Sequence, residues 1–380
     1  VSHSRNIIWR GAATDPSGYG EATRNYVLGL ADAAAVKLQN ESFFKGQPCL
    51  NHWATLERLR RTRVDNDKPH TYVQHLTPEN YVTLPGQHVY HVGMTTFETD
   101  RIPDQWRTPM RAMDEIWTHS TWGKTVFEEQ GIRNVKVVPH GVDTKRFTPE
   151  GPALGVIEES GLGRSFLFGS NFDWTERKNP RALLRAFLGE FGPDDDAALV
   201  IKSYHQFPLE RSRAYIRGYI ESVRKELGKR KGDSAPIYVI SDMLDGEDLP
   251  SFYRSLDAYV LPTRGEGWGL TYSEAMACAV PTIGTGWGGN TQFMNTRNSV
   301  LLSSKLVPIT AEQAGPQRQY AGHRWAEVDV DELRVVMRKL YESNSLAQFG
   351  AVARGDMVKY FSWENACVQA IDALEFDVAF

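Results

Sequence analysis

Short apolar or β-branched runs alternate with helix-patterned stretches along almost the whole chain, the pattern that builds parallel sheets covered by helices. In the first part, Asn6–Trp9, Thr71–Gln74, His88–Gly93, Glu115–Thr118 and Val135–Pro139 have strand character. Helical patterns cover Glu21–Ala31 and a run from a Ser120 cap to about Glu129, ended by Gly131. The series breaks over Val142–Leu154, where Pro149, Gly151 and Pro152 leave few periodic apolar positions. A second series then supplies strands at Ser165–Phe168, Ala198–Lys202, Pro236–Ser241, Ala258–Leu261 and Val280–Gly284, with helices at Pro180–Phe191 and Arg211–Lys231. A chain of 380 residues exceeds the roughly 250–300 that one core serves. Two parallel-sheet domains parted near residue 150 are therefore expected, with ligand bound at the strand ends where they face one another.

Composition narrows the class. Hydrophobic residues at 41% and charged residues at 24% exclude a disordered or low-complexity chain. A formal charge of -4 gives no global attraction for nucleic acid, which is not an expected partner. Cys49, Cys278 and Cys367 form no CxxC pair, so neither a disulfide framework nor a zinc knuckle is indicated and a reducing cytoplasm is the expected compartment. The opening residues lack the apolar core of a leader, and no run reaches the roughly 18–20 apolar residues of a spanning helix. Arg58, Arg60, Arg61 and Arg63, interleaved with Leu56 and Leu59, make either a solvated basic face or a peripheral contact with the inner membrane face. The sparse apolar anchors favour the solvated face, and oligomeric state has no signature in the sequence.

The stretch Pro262–Cys278 concentrates chemistry. A strand ends at Pro262, a turn with Gly265, Gly267 and Gly269 follows, and a helix starts near Leu270 or Thr271. Glycines let backbone amides approach a ligand, and the helix N-terminus carries partial positive charge, an arrangement suited to a diphosphate. Glu266 and Glu274 can face the same cleft and accept hydrogen bonds from sugar or ribose hydroxyls. The alternative is a glycine turn with both carboxylates solvated.

This run resembles glycosyltransferase family 4, whose hallmark is Glu-x7-Glu: Glu266, Gly267, Gly269, Leu270, Glu274, Ala275, Met276, Ala277, Cys278 and Pro281 stand in register. Trp268 replaces the usual Phe, Ala279 the usual Gly, and Gln292 follows Gly288-Gly289 where an acidic residue is more usual. Val138–Asp143, Arg177–Pro180 and Phe361–Trp363 match further segments of the family in the correct order. The resemblance implies a GT-B fold, two Rossmann-like parallel-sheet domains facing across a deep cleft. Residues 1–148 would form the acceptor-side domain, 149–360 the nucleotide-sugar domain, and 361–380 a helix crossing back to the first.

By the same resemblance the protein is a retaining glycosyltransferase, metal-independent and without a cofactor, moving a hexose from a UDP- or GDP-sugar to a hydroxyl of a glycan, a lipid-linked acceptor or a small molecule. Glu266, Lys178 and Arg177 would act in catalysis. Glu274, Trp268, Gly269, Leu270, Thr271, Leu244, Ser170, Gly18, Tyr19 and Gly20 would hold the donor. The arginine usual after the first strand of the second domain is absent from Gly169-Ser170-Asn171, leaving Arg177 or Lys202 to substitute. Thr95, Thr96, Glu98 and His140 are acceptor or sugar contacts, although a structural Glu98 paired with Arg101 and a plain loop histidine at 140 are the competing readings. A nucleotide-sugar epimerase, a phosphorylase and a non-catalytic glycan- or nucleic-acid-binding relative are the alternative functions.

Overall fold

The computed structural model describes residues 6–43, 48–65, 68–86, 88–204, 209–244, 246–343 and 347–375. The start of the segment inspected for a leader lies outside them. The chain divides into two compact units, the first comprising residues up to Gly141 with the stretch from Phe361, the second Val142–Tyr360. The first boundary thus precedes the Pro149–Pro152 segment, and unit 2 is an insertion within unit 1.

Unit 1 is a six-stranded sheet of β1 (Asn6–Gly11), β2 (Ala35–Asn40), β3 (His70–His75), β4 (Val89–Met94), β5 (Glu115–Thr118) and β6 (Val135–Val137). The order is β2-β1-β3-β4-β5-β6 and every pairing is parallel. β2 was not anticipated: its burial alternates, with Val36 and Leu38 inside, so it lacks the continuous apolar run of a central strand. The helix Gly18–Leu30 buries Ala22, Tyr26, Val27 and Leu30. Against it lies the C-terminal helix Trp363–Glu375, with Tyr26 and Trp363 rings 5.3 Å apart. Gly29 makes that approach possible, because a Cβ there would meet Cys367 Sγ at 2.4 Å.

Unit 2 contains β7 (Phe166–Asp173), β8 (Ala197–Tyr204), β9 (Ile237–Ile240), β10 (Ala258–Leu261), β11 (Thr282–Thr285) and β12 (Val300–Leu302), ordered β12-β11-β10-β7-β8-β9 and all parallel. Sheet order reverses between β7 and β10, and ligands of such sheets bind at the carboxyl ends of the strands at this switch. β7 runs well past the expected Phe168, because β8 pairs with it in register to Asp173. The central strands are buried on both faces: Ala197–Ile201 and Ala258–Leu261 have essentially no exposed residue. Phe168, Leu183, Phe187 and Phe191 fill the core on one side. The helix Leu209–Glu226 stops short of the expected Lys231, since Gly228 takes φ +66° and turns the chain out of helix. An antiparallel hairpin of β13 (Ser304–Pro308) and β14 (Arg324–Val328) was likewise not foreseen.

Candidate active site in unit 2

The turn after β10 is built by backbone contact as much as by side chains. Glu266 O accepts from Gly289 N at 2.6 Å, and a Cβ on Gly289 would lie 1.9 Å from Gly267 O, so only glycine permits the two segments to touch. Gly269, at φ +99°, closes the turn and starts the helix Leu270–Ala277. Tyr272 on that helix donates from its hydroxyl to Leu261 O, and Thr285 Oγ1 donates to Thr263 O at 2.5 Å, fixing the turn to the strand ends on either side.

Arg177 and Lys178 occupy a short 3-10 turn, Glu176–Lys178, after β7. Asn179, at φ 55°, then caps the helix Pro180–Glu190 by accepting from Ala182 N, with Pro180 as its first residue. The two basic side chains meet Glu266: Lys178 Nζ donates to Glu266 Oε1 at 2.7 Å and Arg177 NH1 at 3.2 Å, while Thr263 Oγ1 donates to the same oxygen at 2.9 Å. Glu266 is 6% and Lys178 8% exposed, so these are largely dry contacts. Burial, the largest influence, pushes the Glu266 carboxyl up; Lys178 and Arg177, with hydrogen bonds from Lys178 and Thr263, outweigh it and hold the group below the usual carboxylate range. Two cations and one carboxylate leave the cluster net positive.

Arg264, which sequence reasoning passed over, locks this arrangement. Its backbone N–H donates to Arg177 O at 2.7 Å, and its guanidinium reaches Glu327 on β14 at 2.7 Å and Glu176 at 3.1 Å while lying over Trp325. Glu274 is half-buried on the helix and accepts from Tyr253 Oη at 2.6 Å. Burial first, and Glu274 second, raise the Tyr253 phenol well above its ordinary range, so it stays a donor.

The remaining sequence candidates separate. Trp268 is buried against Phe293, ring centroids 4.8 Å apart, and Leu270 and Thr271 are partly exposed at the helix start. Lys202 lies in register with Asn171 on the neighbouring strand, buried, its ammonium lowered from its ordinary range by that burial. Ser170 is fully buried and its hydroxyl has no hydrogen-bond partner within the protein. Leu244 lines a groove along the β9 edge with Arg213, Ile216 and Ile240, of which Glu266, Glu274, Arg177 and Lys178 are not part.

In unit 1 the structure gathers Gly18, Tyr19 and Gly20 with Thr95 and Thr96. Gly18 opens the helix, and Ser17 caps it by accepting from Gly20 N at 3.2 Å. Tyr19 Oη lies 3.0 Å from Thr95 Oγ1 and accepts from Thr96 N at 3.5 Å; burial pushes this phenol up to about 12. Arg101 pairs with Asp100 at 3.1 Å. His140 is not a plain loop histidine: it is 6% exposed and packs against His119 at a ring-centroid distance of 3.5 Å.

Residues 163–313, which contain Arg177, Lys178, Glu266 and Glu274, match the family model described as Glycosyl transferases group 1. The sequence is 27% identical over 197 residues to O-antigen chain mannosyltransferase B of Escherichia coli, covering 49% of this chain and 44% of that protein. The chain thus spans less than half the length of this curated relative. Among solved structures, Anabaena Alr3699/HepE in complex with UDP and glucose is similar over 97% of this chain and 99% of its own, with TM-score 0.64 and 14% identity. Sucrose-phosphate synthase from Thermosynechococcus elongatus is similar over 97% and 98%, with TM-score 0.66 and 15% identity. At such identities the likeness concerns the fold. The likeness to these structures shows a GT-B fold of two six-stranded parallel sheets, and the segment that matches the Glycosyl transferases group 1 model lies in unit 2.

Proposed function

We propose that this protein is a retaining, metal-independent glycosyltransferase that moves a hexose from a UDP- or GDP-sugar to an acceptor hydroxyl. The observation that carries the reading is the pair Glu266 and Glu274 flanking a glycine turn and helix start at the carboxyl end of β10, with Arg177 and Lys178 folded against Glu266. Glu274 holds the ribose hydroxyls and Glu266 the transferred sugar, while the amides of Trp268, Gly269 and Leu270 turn toward sugar and diphosphate. Charge growing on the leaving diphosphate is balanced by the net positive Arg177–Lys178–Glu266 cluster and the helix N-terminus. In front-face substitution the leaving phosphate oxygen takes the acceptor proton, so the protein supplies position and charge rather than a general base.

The complex of Alr3699/HepE with UDP and glucose supports a nucleotide-sugar donor. The acceptor is a glycan, a lipid-linked glycan or a small molecule. Three free cysteines suit a cytoplasmic setting. Among the described residues no helix is long and apolar enough to cross a membrane. The helix Trp53–Arg61 turns Leu56 and Leu59 inward and pairs Arg60 and Arg61 with Glu57, which supports a solvated face. Incubation with UDP- and GDP-sugars, with and without acceptor, is expected to release nucleoside diphosphate and to form an α-linked product from an α-linked donor in the presence of EDTA. Absence of release with every donor, inversion of the anomer, or loss of turnover in EDTA restored by Mg²⁺ would each refute the corresponding part.

A further inference from the structure

Three histidines converge in unit 1 from separate strand ends. His75 closes β3, His119 follows β5 and His140 follows β6, all at the carboxyl edge of the sheet. One potential ligand nitrogen from each lies within 4.8 Å of the other two, and all three residues are buried. The strand order changes sense between β1 and β3, which places His75 beside the switch point where such sheets receive ligands.

The ring environments favour coordination over simple packing. His119 Nδ1 lies 3.1 Å from Val138 O, a carbonyl that can only accept, so Nδ1 carries the proton and Nε2 presents a lone pair. His75 Nδ1 is held by Thr23 Oγ1 at 3.1 Å. In both residues the other nitrogen, Nε2, is buried without a hydrogen-bond partner, and both side chains are 0% exposed. Support of one ring nitrogen by a carbonyl or hydroxyl, with the other left for the ion, is the arrangement that metal-binding histidines adopt.

We propose that His75, His119 and His140 bind one divalent transition ion of the zinc class, tying together the carboxyl ends of β3, β5 and β6. Imidazole donors select zinc, cobalt, nickel or copper over magnesium and calcium. Tetrahedral nitrogens about 2.0–2.1 Å from zinc lie roughly 3.4 Å apart, so a pair at the 4.8 Å limit closes by about 1.4 Å. Three histidines leave a fourth position for water or another oxygen. The ligands of this ion all belong to unit 1, whereas the glutamates and cations named above belong to unit 2, and the transfer chemistry proposed above does not route through it.

The test uses the full chain, stripped with chelator and titrated with Co²⁺ followed by visible absorption, then with Zn²⁺ by calorimetry. One equivalent of Co²⁺ with tetrahedral d–d bands, displaced by Zn²⁺, is expected, together with a rise in melting temperature on the order of 5 °C at saturating Zn²⁺. His119→Gln and His75→Asn, each checked for native circular dichroism, are expected to weaken binding at least about 100-fold, in line with lost ligation. His88→Gln, at an exposed position, is expected to bind as the parent does. Absence of the Co²⁺ bands in the unmutated protein overturns the proposal, whatever the variants do, and so does binding retained in both cluster variants. Nucleoside diphosphate release measured in chelator reports separately on the proposed transfer.

Discussion

Replacing Lys178 with Met should expose how the Glu266 cluster is balanced. The ammonium is one of three donors to a single carboxylate oxygen, at 2.7 Å against 2.9 Å for Thr263 and 3.2 Å for Arg177. Removing one partner of a buried ion pair costs about 3–5 kcal/mol. Arg177 and Thr263 still serve the same oxygen, so the lower end, about 3 kcal/mol, is expected. For a unit of this size that corresponds to a fall in melting temperature of roughly 6–12 °C. Glu266→Gln should cost about 1.5–3 kcal/mol, and the double variant less than the sum of the two, with a coupling of about 1–3 kcal/mol. The pH dependence follows. Because the native carboxyl titrates below its unfolded value, its contribution is complete above that value and is lost as pH falls through the native one. With Lys178 gone the native value rises toward or past the unfolded one, so the share of acid destabilisation that comes from this carboxyl shrinks or reverses. Calorimetry of the four proteins from about pH 2.5 to 8 covers the window below the unfolded carboxylate value and measures both effects. Additivity within about 0.5 kcal/mol, or an unchanged acid limb in Lys178→Met, would refute the argument.

Glu274→Ala should raise the dissociation constant for the donor about 10–100-fold, the loss of one or two charge-assisted hydrogen bonds; titration calorimetry with the active nucleotide-sugar measures it, and unchanged affinity would remove Glu274 from the donor site. Gly289→Ala, with its Cβ 1.9 Å from Gly267 O, should leave unit 2 unfolded or grossly destabilised in circular dichroism and soluble yield. Ala279 sits at φ 58°, the left-handed region, where the family pattern has glycine. An L-residue there costs about 1–2 kcal/mol, offset by about 0.4–1 kcal/mol of unfolded-chain entropy. Ala279→Gly should therefore stabilise the protein by about 0.5–1 kcal/mol, read as a higher denaturant midpoint with unchanged slope.

What the sequence made legible was local. The runs at Ala198–Lys202 and Ala258–Leu261 stand out because strands buried on both faces carry uninterrupted apolar character. Edge strands have no such signature: Ala35–Asn40 alternates, and the hairpin strand Ser304–Pro308 is largely uncovered. In the candidate site, Glu266 and Glu274 belong to one turn and helix and are recognisable by spacing. Tyr253 and Arg264 act through partners on other elements, Tyr253 through Glu274 and Arg264 through Glu176 and Glu327, and no short pattern announces such pairings. The histidine cluster is the extreme case, since residues 75, 119 and 140 meet only once the strands are ordered side by side.

The docking of Trp363–Glu375 onto Gly18–Leu30 sets an order of events during synthesis. The amino-terminal strands leave the ribosome first, yet the helix that covers Tyr26 and Gly29 follows the whole of unit 2; Cys367 and Asn25, in contact, are 342 positions apart. At about 5–20 residues per second, unit 1 waits on the order of ten to forty seconds for its last piece, with the apolar face of its first helix uncovered. Unit 2, continuous in sequence, closes its sheet earlier. The nascent chain therefore completes its inserted half before its first half, and a chaperone that shields Gly18–Leu30 during that interval would act on yield without touching either sheet's final stability.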